Sequence, residues 1–190
     1  MTPGGEIRDH GATGYSRLKR TLLFLSALGA AFGLAFFCAD HEWHPLAAGA
    51  TADHVLVEKA ARRLTLFQGS KPLKTYRIAL GRSPAGQKER EGDQRTPEGM
   101  YRIDYHNPDS ACYRALHVSY PNAGDLGRAR RQGMAPGGDI MIHGVRNGLG
   151  WLGAFHRCLD WTNGCIAVTD AQMDEIYRSV PNGTPVEIRP

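Results

Sequence analysis

The sequence predicts one exported domain of mainly β structure, with one or two short helices, preceded by an apolar N-terminal segment. Three observations support this fold class: short alternating stretches recur from residue 54 onward, turn-forming residues separate them, and helical periodicity is confined to one stretch near the C-terminus. Short strands spaced in this way are typical of a β-sandwich or a partly open barrel. A chain of 190 residues has room for one such domain and a short appendage.

The N-terminal region predicts export. Residues 1–20 form a basic leader, and an uncharged run of 18 residues follows at 21–38. That length is just sufficient to span a bilayer, and the basic leader is expected to stay cytoplasmic. Within the predicted linker, 39–53, the sequence Ala48-Gly49-Ala50 fits a signal-peptidase site. We therefore expect a periplasmic or cell-envelope domain, and the sequence leaves open whether 21–38 remains as an inner-membrane anchor or is removed.

The elements of the domain, residues 54–190, follow from local periodicity. The helix is predicted over 170–180, because Thr169 and Gln172 match a capping box and Pro181-Asn182-Gly183 ends it. The glycine-rich stretch 144–161 is predicted to be either a mobile flap over a cleft or a surface loop whose aromatic side chains pack into the core. The predicted strands are 54–59, 63–68, 73–80, 100–105, 116–120, 139–143, 165–168 and 186–189.

Charge and composition exclude several function classes. The net charge is +4, which suits a polyanionic neighbour such as a cell wall, but no nucleic-acid recognition motif accompanies it. No spacing of Cys and His residues typical of a metal site occurs, and no cofactor-binding pattern is present. Three cysteines lie in the predicted exported domain, an odd number that suggests one reactive thiol and one pair. If a disulfide forms, Cys112 and Cys158 are the candidate pair and Cys165 is the free thiol. The sequence leaves open whether it forms.

Cys165 and His143 are the candidate catalytic residues. A thiol becomes an effective nucleophile when a base removes its proton. His143 ends an apolar strand and is followed by Gly144, and Cys165 follows Gly164 at the start of another apolar stretch. The backbone N–H groups of Gly164 and Cys165 are the candidate oxyanion donors.

Three motifs in order carry a resemblance to a known family. They are Arg95-Thr96-Pro97-Glu98-Gly99-Met100-Tyr101, the segment IMIHG ending at Gly144, and TNGCIAV at 162–168. Together they resemble the L,D-transpeptidase catalytic domain, or YkuD family, over roughly residues 54–188. Most members carry a second His immediately before the Gly-Cys pair, whereas this chain has Asn163 there. The stretch 160–168 is more similar to an envelope branch with the motif D-W-T-x-G-C-I-A-V.

The resemblance implies a chemistry without metal or cofactor. Cys165 would attack the diaminopimelate carbonyl of a peptidoglycan stem peptide and form a thioester, with His143 as base and then acid. An amine acceptor would complete transpeptidation, including attachment of a protein such as a lipoprotein to the wall. Two alternatives remain open: an L,D-hydrolase that trims stems or releases wall-attached protein, and a non-catalytic wall-binding protein.

Further residues are assigned expected roles around this pair. Arg146, Asn163, Trp151 and Gly144 are the candidate substrate-binding residues. Asp160 and Thr162 are expected to hold the cysteine loop in shape through side-chain to backbone hydrogen bonds. A third group should orient His143, and in the family this is often a backbone carbonyl that the sequence does not identify.

Overall fold

The computed structural model describes residues 11–40 and 44–190, and within the N-terminal helix it describes side chains only at 17 and 19–35. The chain divides into two units, 1–41 and 42–190. Residues 1–10 of the predicted leader, 41–43 of the predicted linker and the side chains of 36–38 lie outside the described parts.

The first unit contains one long helix, α1 (Gly11–Asp40). Over the parts of the chain that the structure describes, no helix combines the length and apolar character that a bilayer span requires. The predicted transmembrane segment 21–38 stays a prediction, because the side chains of residues 36–38 lie outside the described parts.

The second unit is mostly β, as predicted. Eight strands form one mixed, open sheet in the order β3-β2-β1-β8-β4-β5-β6-β7. The pairs β1–β8 and β6–β7 are parallel and the other neighbours are antiparallel. The strands are β1 (His54–Glu58), β2 (Arg63–Gln68), β3 (Lys71–Arg77), β4 (Gly99–Ser110), β5 (Tyr113–Val118), β6 (Met141–His143), β7 (Ile166–Ala167) and β8 (Pro185–Arg189).

In β1 and β8, alternating side chains place the core on one face of the strand. In β1 the buried positions are Val55 and Val57, and in β8 they are Val186 and Ile188. This period of two is what a half-buried strand requires. Ala52, in the predicted linker, is also fully buried, and its N–H donates to the Ser179 carbonyl at 2.7 Å. The packed domain thus includes the end of that linker.

Helix α3 (Asp170–Ser179) confirms the predicted capping box. The Thr169 side chain accepts from the Gln172 N–H, and the Gln172 side chain accepts from the Thr169 N–H. Such a cap stabilises a helix by about 1 kcal/mol. Met173 and Ile176 are fully buried and fix α3 to the core.

Two further helical segments are absent from the prediction. Helix α2 (Ala123–Arg131) begins at the N-cap Asn122, which forms a capping box with Asp125. Two short 3₁₀ turns occupy Gly150–Cys158 and are kinked at Gly153, where φ is 46°. The stretch 144–161, predicted to be a loop, therefore contains regular structure.

Candidate active site

A cleft of about 600 Å³ is lined by residues at the β6–β7 edge of the sheet and by residues of the 3₁₀ turns. His143 and Cys165 both line it, although 21 residues separate them in the sequence. The sheet brings them together because β6 and β7 pair in parallel, with His143 opposite Ala167. Cys165 precedes Ala167 by two positions, which is the spacing of side chains on the same face of a strand.

His143 ends β6 and is buried, with 6% of its surface exposed. Its Nδ1–H donates to the Gly144 carbonyl at 2.6 Å. Since a carbonyl can only accept, this bond places the proton on Nδ1 and leaves Nε2 as the basic nitrogen. Burial lowers the pKa of His143, while the hydrogen bond to Gly144 opposes that effect. A neutral imidazole with a free basic nitrogen is the form that a general base requires.

Cys165 is half-buried immediately before β7 and is a free thiol. Its Sγ–H donates to the Asp139 carbonyl at 3.4 Å. Burial raises the pKa of the thiol to about 11, while a backbone hydrogen bond from Met141 opposes this. Around neutral pH the group is therefore a thiol, and it needs a base before it can attack.

The loop before Cys165 is held by Thr162 and Gly164. The Thr162 hydroxyl donates to the Cys165 carbonyl at 2.8 Å and accepts from the Gly164 N–H at 3.1 Å. Gly164 has φ +127°, and a Cβ there would lie 2.7 Å from the Arg95 carbonyl oxygen. Because the Gly164 N–H already has a partner, the expected oxyanion site depends chiefly on the Cys165 N–H and stays a prediction.

Asp160 connects the same loop to residues 62 and 80. Its carboxylate accepts from Arg62 Nη2 at 2.7 Å and from the Leu80 N–H at 2.8 Å. Thr162 in turn donates its N–H to the Leu80 carbonyl at 3.1 Å. These contacts give Asp160 and Thr162 the geometry expected for loop support.

The candidate substrate-binding residues divide into two groups. Arg146 and Asn163 are exposed and line the cleft. Gly144 and Trp151 are not among its lining residues, and Trp151 is 64% exposed. Trp151 is carried outward by the first 3₁₀ turn, which the sequence prediction did not include.

Several cleft residues were not assigned roles from the sequence. Arg82 is exposed at the rim and donates from Nη1 to Asn163 Oδ1 at 3.4 Å. Trp161 packs edge-on against the His143 ring at 5.7 Å, and its Nε1–H donates to His156 Nδ1 at 3.3 Å. The Asp160–Val168 motif offered a signal for Trp161, whereas Arg82 lies far away in sequence and offered none.

Cys112 and Cys158, the candidate pair whose bonding the sequence left open, are not joined by a disulfide in the structure. Both residues are free thiols in the structure. Both line the cleft, Cys112 half-buried beyond β4 and Cys158 exposed at the end of the 3₁₀ turns. The odd cysteine count suggested a pair, but count carries no information on geometry, which decides whether a bond can form.

Asp170 anchors the segment that follows His143. Its Oδ1 accepts from the buried Val145 N–H at 2.8 Å. Gly144 and Gly150 approach the same carboxylate so closely that a Cβ at either would lie within 2.6 Å of an Asp170 oxygen. The carboxylate thereby connects α3 to both ends of the turn that begins the glycine-rich stretch.

Comparisons with known proteins agree with this architecture. The family model of the YkuD L,D-transpeptidase catalytic domain matches residues 52–188. YafK of Escherichia coli strain K12, named as a candidate L,D-transpeptidase, is 31% identical over 133 residues, which is 67% of this chain and 46% of YafK.

Solved structures show the same fold. The helical cell shape determining protein Pgp2 of Campylobacter jejuni is 27% identical, with a TM-score of 0.56, over 74% of this chain and 48% of Pgp2. Bd1075 of Bdellovibrio bacteriovorus is 21% identical, with a TM-score of 0.50, over 75% of this chain and 49% of Bd1075. The chain thus spans about half the length of these relatives. Since the family model covers most of the sequence, the chain belongs to the YkuD family of L,D-transpeptidase catalytic domains.

Proposed function

We propose that the protein is a cysteine-dependent acyltransferase of the bacterial cell envelope that acts on peptidoglycan stem peptides. One observation carries the proposal: the thiol of Cys165 and the imidazole of His143 line one cleft, and the Gly144 carbonyl holds His143 in the tautomer with a basic Nε2. Family membership supports the substrate class. The relationship to Pgp2, described as determining helical cell shape, agrees with action on the cell wall.

In the proposed first half-reaction, His143 Nε2 accepts the Cys165 proton as Sγ attacks the carbonyl carbon of diaminopimelate. The C–N bond to the terminal D-residue breaks, and His143 gives the proton to the leaving amine. A thioester to Cys165 remains. The raised pKa of Cys165 supports concerted base catalysis, because a preformed thiolate would be scarce near neutral pH.

In the second half-reaction, an amine acceptor attacks the thioester and its proton passes to His143. Collapse of the adduct forms the new amide and returns the proton to the thiol. Water at the same position gives hydrolysis, so the acceptor alone decides between transpeptidase and hydrolase. A wall-attached lipoprotein could supply the amine or, in the hydrolytic direction, be the group released.

The test uses purified full-length protein, its Cys165→Ala variant and Cys158→Ala as the matched control. Each is incubated with diaminopimelate-containing tetrapeptide muropeptides, with and without a D-amino acid, and products are weighed by mass spectrometry. Exchange or dimer formation that requires Cys165 and survives Cys158→Ala supports transpeptidation. Loss of the terminal residue without exchange assigns the hydrolase. Absence of any Cys165-dependent product contradicts catalysis on this substrate and favours the wall-binding alternative.

A further inference from the structure

His156 lines the cleft and carries a hydrogen-bond donor without a partner in the part of the chain that the structure describes. The residue is 7% exposed and lines the cleft beside Trp161. Its Nδ1 accepts from Trp161 Nε1–H, so the imidazole in its neutral form carries its proton on Nε2. That Nε2 has no hydrogen-bond partner among the described residues.

A buried donor without a partner is rare in folded proteins, because it has given up water without receiving an acceptor in exchange. When such a group lines a cleft, a ligand acceptor is the natural partner. Trp161 is the partner of His156 Nδ1 only. Because Nδ1 accepts this hydrogen bond, the proton of the neutral ring is on Nε2. The bond to Trp161 therefore fixes the orientation of the His156 ring, and its Nε2–H is left without an acceptor among the described residues.

The surroundings of His156 indicate which acceptor fits. The cleft that His156 lines includes the apolar residues Val145, Leu152 and Phe155. Burial and the neighbouring Arg157 and His143 lower the pKa of His156 to about 4, so the ring is uncharged near neutral pH. A carboxylate is better matched by the exposed guanidinium groups of Arg82 and Arg146 at the rim. A neutral N–H between apolar walls suits a neutral acceptor, the carbonyl oxygen of an amide.

The distance between His156 and the proposed base, His143, is compatible with a peptide substrate that reaches both. The Trp161 ring lies 5.7 Å from the His143 ring and 6.3 Å from the His156 ring. His156 is thus within the length of about four extended residues of His143. We propose that His156 is a substrate-recognition residue whose Nε2–H donates to a backbone amide carbonyl of the stem peptide, within a few bonds of the carbonyl that Cys165 attacks. This inference rests on the proposed function for its substrate class.

The test measures binding without turnover. Three full-length proteins are titrated with a diaminopimelate-containing tetrapeptide muropeptide. They are the Cys165→Ala parent and the two double variants that add His156→Phe or His156→Gln to it. Phenylalanine keeps the ring volume but has no donor, whereas the glutamine amide can place an N–H near the position of Nε2. We expect His156→Phe to weaken binding by about tenfold, and His156→Gln to stay within about threefold of the parent.

A spectroscopic readout separates recognition from a packing role. In ¹⁵N-histidine-labelled Cys165→Ala protein, saturation with the muropeptide should shift the Nε2–H proton of His156 downfield. Equal affinity of the parent and His156→Phe, or an unshifted Nε2–H at saturation, would overturn the inference and leave the proposed function intact. Failure of the Cys165→Ala parent itself to bind the muropeptide would overturn both.

Discussion

The Nδ1–H of His143 donates to the carbonyl of the next residue, Gly144, at 2.6 Å. The group that orients the base is thus part of the same turn as the base. The sequence predicted such a group without identifying it. Because no side chain is needed for the task, the orientation of His143 depends on the backbone path through Gly144, which Asp170 fixes through the Val145 N–H.

Replacing the base should abolish turnover while leaving the thiol in place. We expect His143→Gln to lower kcat/KM on tetrapeptide muropeptides by about 10²- to 10⁴-fold, because proton transfer by a positioned base contributes that much. Muropeptide affinity should change little, since Gln also buries a polar side chain. His44→Gln, at an exposed position, is the control. Activity of His143→Gln within threefold of native would assign the base elsewhere.

The thiol of Cys165 should react as a protonated, buried group. Its pKa is raised to about 11 by burial, so the thiolate fraction should rise about tenfold for each pH unit between 7 and 9. The rate of alkylation of Cys165 by iodoacetamide should rise in parallel. It is measured by mass spectrometry of the peptide that contains Cys165. The exposed Cys158 in the same samples is the internal control that the reagent is active. A rate at Cys165 that is constant from pH 7 to 9 would indicate a preformed thiolate–imidazolium pair.

Local signals predicted the parts of the site that lie within one stretch of chain. His143 at a strand end and Cys165 after Gly164 are recognisable because strand and turn residues adjoin them. Arg82 could not be found in this way, since its place at the rim follows from backbone bonds between residues 80–82 and Thr162. Those bonds join segments about 80 residues apart, and no local pattern encodes them.

The same distinction explains the fold. The capping box of α3 was predicted because Thr169 and Gln172 supply both halves of it within four residues. Helix α2 was missed although Asn122 and Asp125 form the same kind of box, because Gly124 and Gly127 weaken helix propensity in that stretch. Its buried Ala129 shows that tertiary packing contributes to its stability. The order of strands in the sheet also depends on such long-range contacts.

Substitution of Gly164 should disturb both stability and the nucleophile. Alanine there would have φ +127° and a Cβ 2.7 Å from the Arg95 carbonyl oxygen. Backbone strain and overpacking together predict a loss of about 2 to 4 kcal/mol in the free energy of unfolding, measured in urea. Gly138→Ala is the matched control, because its Cβ would enter open space at an ordinary φ. Equal stability of the two variants would contradict the close approach at Gly164.

Removal of the Asp170 carboxylate should loosen the turn after His143. Asp170→Ala leaves the buried Val145 N–H without its acceptor, at a cost of about 1 to 3 kcal/mol. We expect kcat to fall more than KM rises, because the turn holds the carbonyl that orients His143. Asp109→Ala removes an exposed carboxylate elsewhere and should change neither quantity. Unfolding in urea and steady-state kinetics measure the two effects, and unchanged values for Asp170→Ala would exclude an anchoring role.

His156 should make the folded protein less stable in mild acid. Burial lowers the pKa of His156 to about 4 from an ordinary 6.5. Between pH 4 and pH 6.5, His156 is therefore protonated in the unfolded chain and neutral in the folded chain. The stability associated with neutral His156 is fully present above pH 6.5 and is lost as the pH falls toward 4. Because one pKa unit corresponds to about 1.4 kcal/mol, the loss by pH 4.5 is about 2 to 3 kcal/mol.

The comparison that isolates this effect is native protein against His156→Gln, each unfolded in urea at pH 7 and at pH 4.5. Other titrating groups, including His143, are present in both proteins and cancel in the difference. The free energy of unfolding of the native protein should fall relative to His156→Gln by about 2 to 3 kcal/mol between the two pH values. A difference that does not change with pH would show that His156 takes up its proton equally in the folded and unfolded states, which a neutral buried donor in the cleft could not do.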